Sequence, residues 1–345
     1  MAGTQHKICL LIDSKTYGGI ETHVCHLAKG LVASGKQVCI VLITDHGFHP
    51  VFDQDDSIKS IMYKAEKGIF SLFSLLEKLE VDLIHTHGYK AGIFGRLFGF
   101  IYQKAIVSTF HAGERGNLKM RFYCWLDRVT AFRSTCICVS KQIAQSISSN
   151  TTVIQNFVEM PKEDNLDTKQ AKKIAFVGRF SFEKGPDLFY QIVTKLPEME
   201  FTMFGDGPMF RQINRLKPRN LTLVGQVNSM SGYWSQIKLL CITSREEGLP
   251  LVALEALARG IPVVSYDVGG LASVVHDNQT GWLIPPLNEH AFINRLKKIA
   301  KFNHSSSDKI ALFSKNYIKT NFSSRAIIPK IIQCYSSALM EQGYA

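Results

Sequence analysis

Two short segments set charged residues among glycines just after apolar runs. In residues 178–185, GRFSFEKG, Arg179 and Lys184 share a glycine-bracketed loop after an apolar run. A guanidinium fork plus an ammonium makes a clamp for a diphosphate. A lone cation is usually a solvated loop charge, but a bracketed pair at a strand end favours the clamp. In residues 246–260, EEGLPLVALEALARG, Pro250 suits a first helical turn and Gly260 an exit. Glu247 then lies in the loop and Glu255 inside the helix. Gly248 permits close backbone approach, and the amides around Leu251 and Val252 would be unpaired at a helix start, which attracts phosphate. Carboxylates beside that end can accept hydrogen bonds from sugar hydroxyls. The plainer alternatives are a dipole-favoured Glu247 and a Glu255 on an exposed helix face. Yet Glu255 sits among Val252, Ala253, Leu254, Ala256 and Leu257, where a carboxylate must be paired or face a ligand.

Other residues carry less specific patterns. Gly18 and Gly19, in DSKTYGGIETHV, would let backbone approach a ligand at a helix start. The pattern is not GxGxxG, which argues against a nicotinamide or flavin, and a plain turn needing positive φ is the simpler reading. His111, in STFHAG, stands in a glycine-containing loop after a strand, where a ligand role outweighs a core role. His85 and His87, in DLIHTHG, form a conceivable metal pair. No third ligand is near in sequence, so a structural role or an acceptor contact is favoured. Asp53-Gln54-Asp55 has the form of a DxD metal motif but reads as a solvated turn. His6, His46, His49, His290 and His304 read as surface residues.

Positioning these residues requires strands that alternate with helices. Apolar runs at 8–12, 38–43, 58–62, 82–85, 105–109, 135–139 and 152–154 alternate with helical stretches at 20–34, 69–79, 90–102, 118–132 and 141–147. The rhythm stops in a polar linker at 161–173. It restarts with strands at 174–177, 200–204, 221–224, 239–243, 262–265 and 282–284 and helices at 185–196, 209–216, 250–259 and 289–300. Strands apolar on both faces imply parallel sheets covered on both sides. The expectation is α/β, two doubly wound domains, with ligands beyond the carboxyl ends of the strands and a cleft between the domains.

Composition narrows the function classes. The 345 residues are 46% hydrophobic and 20% charged, which excludes disorder over most of the length. No apolar run approaches the ~20 residues of a membrane span, and the amino-terminal stretch lacks the pattern of a secretory signal. Eight scattered cysteines without metal spacing read as reduced core thiols of a cytoplasmic protein. The net charge of +11 is spread over both halves, with no module or stripe for nucleic acid. An anionic small ligand or membrane surface explains it equally well. Residues 104–133 hold Lys104, Arg115, Lys119, Arg121, Arg128 and Arg133 against Glu114 and Asp127, mixed with Phe122, Trp125, Leu126 and Val129. Their i, i+3, i+4, i+7 spacing favours core packing slightly over a bilayer interface.

With these motifs in order, the chain resembles the retaining glycosyltransferases of GT-B architecture, glycosyltransferase family 4 (group 1 glycosyltransferases). The resemblance rests on the Glu247–x7–Glu255 pair in EGLPLVALEA and on the Gly178, Arg179, Lys184, Gly185 loop. The order of the Gly-Gly loop, DLIHTHG, STFHAG, CVS, FGDGP and PVVSYDVGG also fits. It implies two Rossmann-like domains facing across a cleft, 1–158 on the acceptor side and 159–324 for the nucleotide-sugar, with helix 325–345 returning to the first. It further implies that Arg179 and Lys184 bind the donor diphosphate, Glu255 the ribose, and Glu247 the transferred sugar. The amides of Leu251 and Val252 would touch phosphate, with Gly248 beside them. Gly18 and Gly19 would approach from the other domain, His111 would lie near the reaction centre, and Gly205 and Val227 would flank the base. The expected catalyst set is His111, Glu247, Arg179 and Lys184. The donor would be a UDP- or GDP-sugar and the acceptor a glycan or lipid-linked saccharide. No cofactor or metal is required, because Arg179 and Lys184 can do a cation's electrostatic work. A nucleotide-sugar epimerase or a non-catalytic sugar-nucleotide-binding partner are the competing functions.

Overall fold

The computed structural model describes residues 6–13, 18–47, 52–53, 55–111, 118–161, 171–302 and 304–343. Two units emerge: Met1–Asn156 together with Ser324–Ala345, and Phe157–Ser323. Each is built on its own parallel sheet.

In the first unit the strands are β1 (Lys7–Ile12), β2 (Gln37–Leu42), β3 (Met62–Lys64), β4 (Leu83–His87), β5 (Ala105–Phe110), β6 (Thr135–Cys138) and β7 (Thr151–Val153). They pair in the order β3-β2-β1-β4-β5-β6-β7, all parallel. Helices α1 (Gly19–Ala33), α2 (Asp56–Lys59), α3 (Ile69–Lys78), α4 (Tyr89–Tyr102), α5 (Leu118–Val129) and α6 (Lys141–Ala144) intervene. The central strands β1 and β4 are buried almost throughout, as expected of strands covered on both faces. The second unit holds β8 (Lys173–Val177), β9 (Phe201–Phe204), β10 (Leu221–Gly225), β11 (Ile237–Ile242), β12 (Val263–Tyr266) and β13 (Gly281–Ile284). Their order is β10-β9-β8-β11-β12-β13, with α7 (Pro186–Thr194), α8 (Phe210–Leu216), α9 (Leu251–Ala258), α10 (Glu289–Ala300) and α11 (His304–Asn321). The strand order reverses beside β1 in the first sheet and beside β8 in the second, the crevices where such sheets bind ligands. The final helix, α12 (Ser324–Glu341), packs in the first unit against α1 and β5. A Cβ on Gly30 would lie 2.6 Å from Ile328 Cδ1, so glycine is what lets α1 and α12 approach.

Several expectations need correction. The run at 58–62 is not a strand: Asp55 caps α2 by accepting from the Ser57 amide, and β3 starts only at Met62. Asp55 is also no solvated turn residue. It pairs with Lys29 at 2.6 Å, and that hydrogen bond, with Ser57, pulls its carboxyl down to about 2. Gln54, His49 and most of the 161–173 linker lie outside the described residues, and His304 only its backbone within them. The helix expected at 141–147 is the single turn α6. Gly18 has φ −165°, extended backbone open to any residue, so no positive φ explains it. Helix α11 was not foreseen, and α5 is rotated relative to the packing pattern. Phe122, Trp125 and Val129 are exposed. Among the described side chains of α5 the buried one is Asp127, which pairs with Arg96. Arg96 also donates to Ser108 at 2.9 Å and Thr130 at 3.1 Å.

Candidate functional site

In the second unit, β8 delivers the chain into residues 178–185 at its carboxyl end. This loop is locked by backbone bonds to the turn after β9: Phe180 N donates to Asp206 O, and Met209 N to Phe180 O, each at 2.9 Å. Gly205 (φ +127°) closes the contact, since a Cβ there would lie 2.0 Å from Gly178 O. The turn carrying Gly205 therefore stacks on the Arg179 loop. Arg179 is exposed, with no ion-pair partner among the described residues. Lys184 precedes Gly185, a left-handed residue that starts α7. Arg245, which the sequence reading passed over, braces the same loop. It forms a two-pronged pair with Asp187 (2.9 and 2.6 Å), donates to Phe182 O at 2.8 Å and lies over the Phe182 ring.

The segment after β11 brings Glu247 to this loop. Lys184 Nζ donates to both oxygens of Glu247, at 2.9 and 2.8 Å, and Ser244 Oγ donates to Glu247 Oε1 at 2.7 Å. The Glu247 side chain is only 6% exposed and Lys184 33%. The sequence assigned these two residues to different parts of a ligand; in the protein they touch. Gly248 O accepts from Gly270 N, and a Cβ on Gly269 would meet Glu247 O at 2.1 Å, so the 267–270 turn supports the glutamate loop from behind. Pro250 is the N-cap of α9, with extended backbone and no capping side chain, and no acid lies in the first turn. The Leu251 and Val252 amides thus open the helix in the manner that binds anions. One turn further, Glu255 is half-buried, and its carboxyl has no hydrogen-bond partner among the described residues. Burial raises it to about 7, against the opposing charge of Arg259. Val227 packs, half-buried, on the core that includes Leu251 and Leu254.

The first unit gathers histidines where β4 and β5 end. His85, Thr86 and His87 are all buried. His85 Nδ1 is 2.7 Å from the Tyr335 hydroxyl on α12, and its Nε2 is 2.6 Å from Thr109 Oγ1. His87 Nδ1 is hydrogen bonded with His111 Nε2 at 3.1 Å. His23, on α1, stands edge-on to His111 with ring centroids 4.7 Å apart. The sequence reading missed His23; its signal was the position one turn inside the helix that Gly18 and Gly19 begin. The ligand nitrogens of His23, His87 and His111 lie within 4.8 Å of one another, which makes them the described residues that could gather on a metal ion. As they stand, His87 and His111 are hydrogen bonded and the His23 ring packs against both. His87 Nε2 is buried without a partner among the described residues, and Lys90 pairs with Asp13 at 2.5 Å.

Burial lowers all four imidazoles: His85 to about 3, His111 to about 4 (partly offset by Asn156), and His23 and His87 well below the ordinary value. A histidine with a depressed folded value supports the fold above its unfolded pKa of ~6.5 and loses that support as pH falls. Between pH 7 and pH 5, His85 alone should lose about 2 kcal/mol from the first unit. Hydrogen exchange at β4 and β5, corrected for intrinsic rates, checks this; unchanged protection at pH 5 contradicts it.

The family described as Glycosyl transferases group 1 matches residues 159–315, and Glycosyltransferase Family 4 matches residues 17–160. The chain is 27% identical over 312 residues to the UDP-Gal:alpha-D-GlcNAc-diphosphoundecaprenol alpha-1,3-galactosyltransferase of Escherichia coli, covering 76% of this chain and 79% of that protein. It is 24% identical over 224 residues to the O-antigen biosynthesis glycosyltransferase WbnH of Escherichia coli, covering 61% and 65%. The solved structure of Anabaena Alr3699/HepE with UDP and glucose superposes with a TM-score of 0.82 at 19% identity, over 96% of this chain and 100% of that one. The two sheets have the GT-B fold.

Proposed function

Because this chain is a glycosyltransferase of GT-B type, we propose that it moves a hexosyl group from a UDP- or GDP-sugar to a hydroxyl of a glycan or lipid-linked saccharide, with retention of anomeric configuration. The observation that carries the reading is the two-pronged contact of Lys184 with Glu247, on the side of the unit where α9 opens its amides. Arg179, Lys184 and the amides of Leu251 and Val252 grip the diphosphate, and Glu255 accepts from the ribose hydroxyls. Glu247 orients the sugar ring. As the sugar–phosphate bond breaks, the ring gains positive character and the diphosphate gains charge. Fixed cations and peptide dipoles favour that state over the ground state. They act there in place of a divalent cation. Glu247 is already held by Lys184 and Ser244, which suits it to orient hydroxyls and not to attack carbon. The acceptor hydroxyl therefore enters on the face the leaving group departs from, and the departing phosphate takes its proton. Free thiols at all eight cysteines suit a reducing cytoplasm.

The Escherichia coli relative is named for a diphosphoundecaprenol-linked acceptor, and a second for O-antigen biosynthesis. On that likeness we assign this chain to cell-surface polysaccharide assembly on a lipid-linked saccharide. A thermal-shift screen of nucleoside diphosphates tests the donor side, since a ligand bound only by the native state raises the melting temperature by mass action. UDP or GDP should raise it and free uridine or guanosine should not. No response to any diphosphate contradicts the reading. Donor incubated without acceptor should stay unepimerised; conversion to an epimer would replace the transferase assignment.

A further inference from the structure

The donor chemistry gives His23 and His87 no task, yet the fold buries both beside His111. Their place is set by the sheet. β1 and β4 flank the point where the strand order reverses, which is where an open parallel sheet takes a ligand. His87 ends β4 and His111 follows β5, with His87 in register with Thr109. Helix α1, entered from β1, adds His23. One ring nitrogen from each of the three lies within 4.8 Å of the other two. His85, on the same strand as His87, is already engaged: Tyr335 meets its Nδ1 and Thr109 its Nε2. Its ring backs that of His87, with centroids 4.2 Å apart, and Asn156 hydrogen bonds with His111. His87 Nε2, by contrast, is buried with no hydrogen-bond partner among the described residues. A buried polar atom in that state calls for an explanation, and a bound ion is one.

Ligand type decides which ion fits. Imidazole suits zinc and its neighbours cobalt, nickel and copper, whereas magnesium, calcium and manganese take oxygen. The cluster gathers imidazoles and no carboxylate among the described residues. Asp13, the next residue beyond the Ile12–His87 pair of β1 and β4, is bound to Lys90 at 2.5 Å. Zinc bonded to tetrahedral nitrogens at its usual distance sets them about 3.3–3.4 Å apart. His87 Nδ1 and His111 Nε2, at 3.1 Å, are close to that spacing. The widest gap in the set is 4.8 Å or less, which side-chain rotation spans. His85 and Asn156 stand where outer-shell groups orient metal ligands. We propose that His23, His87 and His111 form a binding site for a zinc-class divalent ion, with a fourth position open to water or an anionic oxygen. The inference rests on the first unit alone and does not depend on the donor assignment, and the proposed transfer step makes no use of the ion.

Calorimetric titration of the metal-stripped protein with zinc chloride tests this directly. Zinc should fill one site per chain, and magnesium chloride should fill none. Zinc at about 100 times its Kd should raise the melting temperature by about 5 °C or more. Cobalt(II) should show the strengthened visible absorption of a nitrogen-ligated four- or five-coordinate ion. His23→Phe and His87→Phe keep a ring in place without its nitrogens. Each should weaken zinc at least about a hundredfold, the upper end of what losing an outer-shell partner costs. His111→Gln, at the less buried edge of the cluster, should give the same loss and stands in if a buried variant does not fold. His290→Gln, on the exposed face of α10, should leave zinc binding unchanged. Absence of a zinc site in the wild type overturns the proposal, as does a site that survives all three changes in the cluster. A sulfur-to-cobalt charge-transfer band also overturns it, because the ion would then sit on a cysteine.

Discussion

Lys184→Ala should lower kcat/KM for the nucleotide-sugar by about 10²–10³-fold, the usual effect of deleting one preorganised group that meets developing charge. The ammonium sits where its two contacts to Glu247 leave a third donor for the diphosphate. On the proposed reading, its removal would strip charge from the leaving group and free the glutamate proposed to orient the sugar. The stability effect is separable. Glu247 is nearly buried, and without Lys184 its carboxylate retains only Ser244. Breaking such a pair costs about 1–3 kcal/mol here, below the fully buried case because Lys184 is one-third exposed. Adding Glu247→Gln should restore most of that stability and none of the activity. If the double variant regains turnover, or if Lys184→Ala turns over donor normally, the clamp is misassigned. Steady-state kinetics and urea melts on the four proteins of the cycle decide it.

Gly185→Ala should lose about 3 kcal/mol or more and with it donor binding. Gly185 has φ +64° and ψ +41°, and a Cβ there would lie 2.1 Å from the Thr243 carbonyl oxygen. That oxygen belongs to backbone at the end of β11, and Thr243 Oγ1 already donates to Gly185 O at 2.8 Å. Neither side can yield without moving the loop that presents Lys184 or the segment that presents Glu247. Gly35→Ala is the control. Gly35 also has positive φ (+74°), but nothing lies within 4 Å of its would-be Cβ, so only the left-handed cost of about 1–2 kcal/mol applies. Equal urea midpoints for the two variants would show that the close approach at Gly185 carries no weight.

The legible parts of this chain are those where local pattern and tertiary demand agree. Strands apolar on both faces, such as 8–12 and 38–43, became central strands because a parallel sheet buries both sides. The Glu247–Glu255 spacing and the Pro250 helix start were readable because backbone chemistry at a helix end is local. What failed was non-local. The direction of α5 depended on Arg96, about thirty residues earlier, whose buried pairing with Asp127 outweighed an apolar period that pointed the other way. The run at 58–62 looked like a strand until the Asp55 cap is considered. His23 joined His87 and His111 only through the order of α1, β4 and β5 in the sheet. The contact of Lys184 with Glu247 spans 63 positions, and no spacing rule reaches that far.

The most direct measurement is a crystal structure of the protein with bound UDP. The diphosphate should lie within hydrogen-bond reach of the Arg179 and Lys184 side chains and of the Leu251 and Val252 amides, with ribose hydroxyls on Glu255. Diphosphate bound elsewhere, with Glu255 still facing no ligand, would contradict it.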